Sequence, residues 1–166
     1  MLEAQEIKQI RPFIEVAIGQ ARRSPCQKSK RGVVIFKDGN ILGTGFNEPV
    51  NPNNCIPEIC LSVCSLYTIH AERKALQNAL ASGHELTAAS VLHIKLSQAF
   101  FVPEVGEVIR AEASDDLSCD DCSGYMQRLS QKMPLKEFIL YQSRGYIAYG
   151  IEEFHNLTLA YLRVHP

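Results

Sequence analysis

Gly32-Val33-Val34-Ile35-Phe36-Lys37-Asp38-Gly39-Asn40-Ile41-Leu42-Gly43-Thr44-Gly45 is the stretch on which the fold turns. Its first half is an unbroken run of β-branched and aromatic residues, the composition of a buried strand. Asp38-Gly39 is a tight-turn pair that tolerates positive φ, and Asn40 to Gly45 supplies the returning strand. A hairpin is therefore predicted here. Before it, residues 3–23 carry Ile7, Ile10, Phe13, Ile14, Ala17, Ile18 and Ala21 at helical spacing, with Pro12 expected to start or kink the main helix. Between the two lies a basic loop, with Arg22, Arg23, Lys28, Lys30 and Arg31 interrupted by Ser24-Pro25.

Downstream, residues 47–57 hold three prolines and four asparagines and read as a loop. A helix is predicted over about 65–82, with Ala71, Ala75, Leu76, Ala79 and Leu80 at helical spacing and Gly83 as its stop. Residues 88–96 read as a strand, 103–121 as a solvated acidic loop, 136–142 as a further strand and 151–162 as a closing helix, with a short helix starting near Cys119. There is no internal repeat and no linker. A helix, two strands, then alternating helix and strand give a layered α/β domain with a mixed sheet.

The chain has 166 residues, 46% hydrophobic and 21% charged, with a formal net charge of −1. That composition excludes collagen-like, low-complexity and wholly disordered chains, and offers no global basic field for nucleic acid or an anionic membrane. No apolar run approaches the ~20 residues of a membrane helix. The opening Met-Leu-Glu-Ala-Gln-Glu is unlike a secretory n-region, so a cytoplasmic protein is expected.

Six cysteines, at 26, 55, 60, 64, 119 and 122, then suggest metal or catalysis over a disulfide framework. Cys119-Asp120-Asp121-Cys122 is a tight C-x-x-C whose thiols project from one face of a helical turn, at a helix start that favours thiolate. His70-Ala71-Glu72 lies near another helix start. One imidazole and two thiolates are good zinc ligands and leave a fourth position open for water. Glu72 is too close to His70 in sequence to ligate comfortably, but it can take a proton from water held at that position. A closed Cys₄ or Cys₂His₂ finger would not need it. Cys26, Cys55, Cys60 and Cys64 admit a second, structural metal, or else are small thiols packed under a loop. His84, His93 and His155 have no ligand-like neighbours in sequence and read as surface or core histidines, and Tyr67 and Tyr125 as base-stacking or core aromatics.

These motifs resemble the zinc-dependent cytidine and deoxycytidylate deaminase superfamily. Thr68-Ile69-His70-Ala71-Glu72 with Ala75-Leu76 is similar to its first motif, and Ser118-Cys119-Asp120-Asp121-Cys122 to its second. Arg23-Ser24-Pro25-Cys26, Gly32-Val33-Val34-Ile35 and Gly45-Phe46-Asn47 resemble the deoxycytidylate and tRNA-adenosine deaminase branch. The resemblance implies a three-layer α/β/α cytidine deaminase-like fold, a mixed sheet covered by helices on both faces, in one domain over 1–166. It implies that His70, Cys119 and Cys122 bind one catalytic zinc, that Glu72 moves protons, that Asn47 contacts the sugar or base, and that the Ala71 N–H faces the exocyclic oxygen of the product. The expected substrate is a free cytosine nucleotide or nucleoside, deoxycytidylate first, with the basic loop a candidate for its phosphate, and a homo-oligomer is expected.

Two departures stand out. Ser118 occupies the place of the family's proline, where it is expected to cap the helix. An acidic insertion at about 97–117 separates the strand from the C-x-x-C. The rivals are a deaminase of a base within RNA or single-stranded DNA, which the charge disfavours, a deaminase of guanine or another amino-heterocycle, and an inactive zinc-stabilised interaction module.

Overall fold

A computed structural model describes residues 1–50, 68–97, 100–103, 106–115 and 117–164. Helix α1 (Ala4–Arg23) is followed by strands β1 (Lys30–Lys37) and β2 (Asn40–Phe46), then α2 (Ala71–Ala81) and β3 (Ser90–Leu96). Three short strands follow, β4 (Phe100–Val102), β5 (Gly106–Val108) and β6 (Ala111–Glu112). Helix α3 (Asp120–Ser130), β7 (Glu137–Gln142), β8 (Gly145–Tyr149) and α4 (Ile151–Val164) are the last described elements.

The main sheet has the order β2-β1-β3-β7-β8, with β6 paired to β3. Among the described residues β3 and β7 run parallel, and the other pairs of this sheet are antiparallel. The predicted hairpin forms with Lys37 opposite Asn40. Asp38 and Gly39 both have positive φ, at 49° and 81°, as a two-residue type I′ turn requires.

Successive strand residues face opposite layers, so the unbroken apolar runs bury both faces of the sheet. Val33, Ile35, Val91, Phe138 and Leu140 meet α2, α3 and α4 in one core. Val34, Phe36, Leu92, Ile94 and Ile139 meet α1 in the other. Two glycine contacts set the helix positions. A Cβ on Gly32 would collide with the backbone of Ala17 and Ala21 in α1, and one on Gly45 would lie 2.5 Å from Ala75 N and 2.6 Å from Ala71 O in α2. The start of α2 is thereby pressed against the end of β2.

Several expectations need correction. The helix assigned to 65–82 begins at Ala71, because Ile69 bridges Glu48 in extended conformation and His70 is the N-cap; 65–67 lie outside the described residues. Of the two roles expected for Pro12, starting the helix is excluded, since Pro12 lies within α1. The strand placed at 88–96 starts at Ser90, after Ala88 at φ 63°. Residues 103–121 are not one solvated loop: β5 and β6 fall inside them, and β6 joins the main sheet. Strand β8 was not anticipated.

Candidate metal centre and the cavity beside it

His70 and Cys119 are the N-caps of α2 and α3, so two helix starts converge on one point. Atom Nδ1 of His70 lies 3.1 Å from Cys119 Sγ and 3.2 Å from Cys122 Sγ. The three ligand atoms lie within 4.8 Å of one another. A tetrahedral ion with ordinary Zn–N and Zn–S lengths holds such atoms ~3.5 Å apart, so the trio fits zinc with a small adjustment. The donor chemistry agrees. Cys119 is pushed down to about 5, first by its hydrogen bond with Cys122 and then by His70, and its Sγ accepts the Cys122 N–H at the helix start. The same hydrogen bond and burial drive Cys122 strongly up, and binding a metal would require that thiol to give up its proton. Arg73 in α2 ties the two helices through Asp121 at 2.9 Å.

A cavity of about 180 Å³ opens beside this trio, lined by Arg31, Asn47, Ala71, Glu72, Ser118 and Cys119 among others. Glu72 is 4% exposed. Burial alone would raise its carboxyl, yet the facing His93 and Arg31 outweigh it and hold the group below the ordinary carboxylate range. Burial pushes the His93 imidazole down to about 4, so at neutral pH it is uncharged and its 3.8 Å approach to Glu72 is no ion pair. Of these two groups, Arg31 alone carries its charge at neutral pH.

Asn47 is largely committed to the fold. Its Oδ1 accepts the Arg31 N–H and its Nδ2 donates to Ser29 O, both at 2.8 Å, while the residue still lines the cavity. Ser118 does not cap α3 as its position suggests; Cys119 does, and the Ser118 hydroxyl donates to Glu72 Oε1 at 3.3 Å. Of the basic loop, Arg31 alone lines the cavity: Arg23 lies over the Phe46 ring, Lys30 donates to Ser24 O, and Arg22 and Lys28 are exposed. Cys26 is buried and accepts the Ser29 N–H, whereas Cys55, Cys60 and Cys64 lie outside the described residues, as does Tyr67. Arg73 covers the Tyr125 ring. His155 accepts or donates at 3.0 Å to the buried Ser123 hydroxyl, bridging α3 and α4.

Sequence reading offered Arg31 only as part of a phosphate-binding loop and His93 only as a surface or core histidine; it placed neither beside Glu72. Strand parity would have found both. Counted along β1, Arg31 shares a face with Val33 and Ile35; along β3, His93 shares one with Val91; and Val33 pairs His93 directly. Both side chains must then face the α2 layer, where Glu72 sits.

Residues 7–132 match the family model of the cytidine and deoxycytidylate deaminase zinc-binding region. The chain belongs to this deaminase family. A stretch of 35 residues is 46% identical to the deoxycytidylate deaminase of Mycobacterium phage D29, covering 21% of this chain and 27% of that relative's length. The deaminase fold is shared with the dCMP deaminase of cyanophage S-TIM5, at TM-score 0.51 and 19% identity over 82% of each chain. It is shared also with the cytidine deaminase of Burkholderia pseudomallei, at TM-score 0.53 and 18% identity over 87% of this chain and 94% of that one. Among the described residues no helix is long and apolar enough to cross a membrane.

Proposed function

We propose that this chain is a hydrolytic deaminase of a free cytosine nucleotide or nucleoside, deoxycytidylate first. The observation that carries the reading is Glu72: an ionised, 4% exposed carboxylate in a cavity walled by two of the three metal-ligating side chains. A purely structural zinc site has no use for a buried charge that costs desolvation. The cyanophage relative has been crystallised with dCMP and dUMP, which supports the choice of substrate.

His70, Cys119 and Cys122 would hold zinc, which when bound supplies a Lewis acid that lowers the pKa of water to roughly 7. Glu72 takes a proton from the attacking water and passes it to the ring nitrogen beside the amino-bearing carbon. It then moves a second proton to the amine, which leaves as ammonia while the carbon becomes a carbonyl. The Ala71 N–H, a first-turn donor of α2 that the helix itself does not use, faces the oxygen of the product. We read residues 1–166 as one such domain carrying the insertion at 97–117, cytoplasmic because its thiols must stay reduced, and self-associating as the resemblance implies.

The test is ammonia release from cytosine, adenine and guanine nucleosides, nucleotides and oligonucleotides, with zinc measured on the same sample. Ammonia from one class of free cytosine compound is expected, with about one catalytic zinc per chain. Glu72→Gln should keep that zinc while turnover falls by about 10²–10⁴-fold. Zinc without ammonia from any compound, or full activity in that variant, refutes the reading.

A further inference from the structure

We propose that Arg31 selects the base, by donating a hydrogen bond to a ring carbonyl next to the nitrogen that Glu72 protonates. The proposal rests on the function above and adds to it the residue that sets specificity.

The geometry begins with β1 and β3. Arg31 pairs Lys95 across the ladder, and His93, two residues back, pairs Val33, so Arg31 and His93 are diagonal neighbours on the face toward α2. Nη1 of Arg31 lies 3.5 Å from His93 Nε2, and that same nitrogen lies 3.8 Å from Glu72 Oε1. An arginine is always protonated, so Nε2 is the acceptor and the imidazole proton sits on Nδ1, which is buried without a hydrogen-bond partner among the described residues. Behind the guanidinium, Nε donates to Ser29 Oγ at 3.1 Å. Held at two points, the fork is fixed beside Glu72 with donors left over on its terminal nitrogens. Lys95, on the same face, is spent on Glu112 at 3.0 Å, and Lys74 on Glu48 at 2.7 Å.

The bases differ at the ring position beyond the nitrogen that Glu72 would serve. In cytosine the amino-bearing C4 adjoins N3, and the next atom is a carbonyl carbon, C2=O. In adenine the amino-bearing C6 adjoins N1, and the next atom is C2–H. In guanine the amino group sits on C2, and its free ring nitrogen N3 leads to the ring-fusion carbon. Only the pyrimidine presents an acceptor oxygen one bond beyond the nitrogen that Glu72 serves. A purine would leave a half-buried guanidinium facing carbon, and a site built around such a donor rejects substrates that cannot accept from it.

The experiment compares zinc-loaded wild type, Arg31→Met and Arg31→Lys on cytosine and 2-thiocytosine nucleosides and monophosphates; sulfur is the weaker acceptor. Wild type is expected to favour the oxo compound over the thio by about 10- to 100-fold in kcat/KM, and Arg31→Met to lose that preference, with nucleoside and monophosphate affected alike. Arg31→Lys, which keeps the charge without the fork, should fall between. Zinc content and thermal melting confirm that each variant is folded, and if Arg31→Met is not, Arg31→Lys decides. An equal fall on oxo and thio compounds overturns the proposal in favour of a structural role. A fall confined to monophosphates overturns it in favour of phosphate binding. Turnover of no cytosine compound by wild type refutes the proposed function itself, a separate result read before any variant is made.

Discussion

Ser118 is one of the two places where the chain departs from its family's pattern, and its hydroxyl lies 3.3 Å from Glu72, the proposed proton carrier. A proline there could not donate, so Ser118 adds a constraint on Glu72 that the family pattern lacks. Ser118→Ala should lower kcat by about 3- to 10-fold with zinc content unchanged, as expected of one long hydrogen bond to a charged group; an unaltered kcat would show that the contact does not position Glu72. His93 makes a different prediction. Its imidazole is at about 4 when folded and 6.5 ordinarily, so between those values the unfolded chain binds the proton more tightly. The stability is fully present above pH 6.5 and is lost as pH falls toward 4, by about 3 kcal/mol for a group 1% exposed. Glu72 from α2 and Arg31 from β1 face it, with Lys95 and His70 farther out. Urea midpoints of wild type and His93→Phe, with excess zinc, should diverge over that window, the variant being the flatter; parallel curves would refute the assignment. Ser118 stood out in the sequence only as a missing proline, and His93 did not stand out. A ligand trio is legible from spacing because zinc demands particular atoms, whereas Ser118 and His93 gain meaning only from what they face.

The elements that were legible carry strong local signals. The hairpin has its Asp38-Gly39 turn, α1 its periodicity, and β3 its run of buried aliphatics. Strand β8 was missed because Tyr146, Ile147, Ala148 and Tyr149 are all only partly buried, at the end of the sheet order, and show no alternation to read. The start of α2 was set too early because the Glu48–Ile69 bridge, a contact across 21 positions, holds the chain extended until His70. That start matters because it places the ligand. Gly45 has no room for a side chain beneath it, so Gly45→Ala must push α2 away or strain the hairpin. Its cost should be about 1–3 kcal/mol by denaturant unfolding, together with weaker zinc retention. Gly19→Ala, which meets nothing within 4 Å, serves as the control and should leave zinc retention unchanged.

At the scale of the molecule, two cores share one sheet, and the proposed ligands come from the layer of α2, α3 and α4. Chelation should therefore lower the melting temperature and readdition of zinc restore it, since the metal stabilises the only state that assembles its site. The layered class was legible from element order and the candidate His70, Cys119 and Cys122 trio from motif spacing; the convergence of two helix starts was not, because it depends on sheet order. That convergence has a consequence for how the chain acquires its metal. Cys119 and Cys122 are three positions apart and remain a chelating pair on an unfolded chain, but His70 lies 49 positions from Cys119 and joins them only after β3 has found both β1 and β7. Two ligands are thus a local property of the peptide, and the third is a report that its longest-range pairings are complete. An ion captured early by the thiols would be passed from a loose, two-point grip to a three-point one as the sheet closes, making the tightening of that grip a gauge of how far folding has gone.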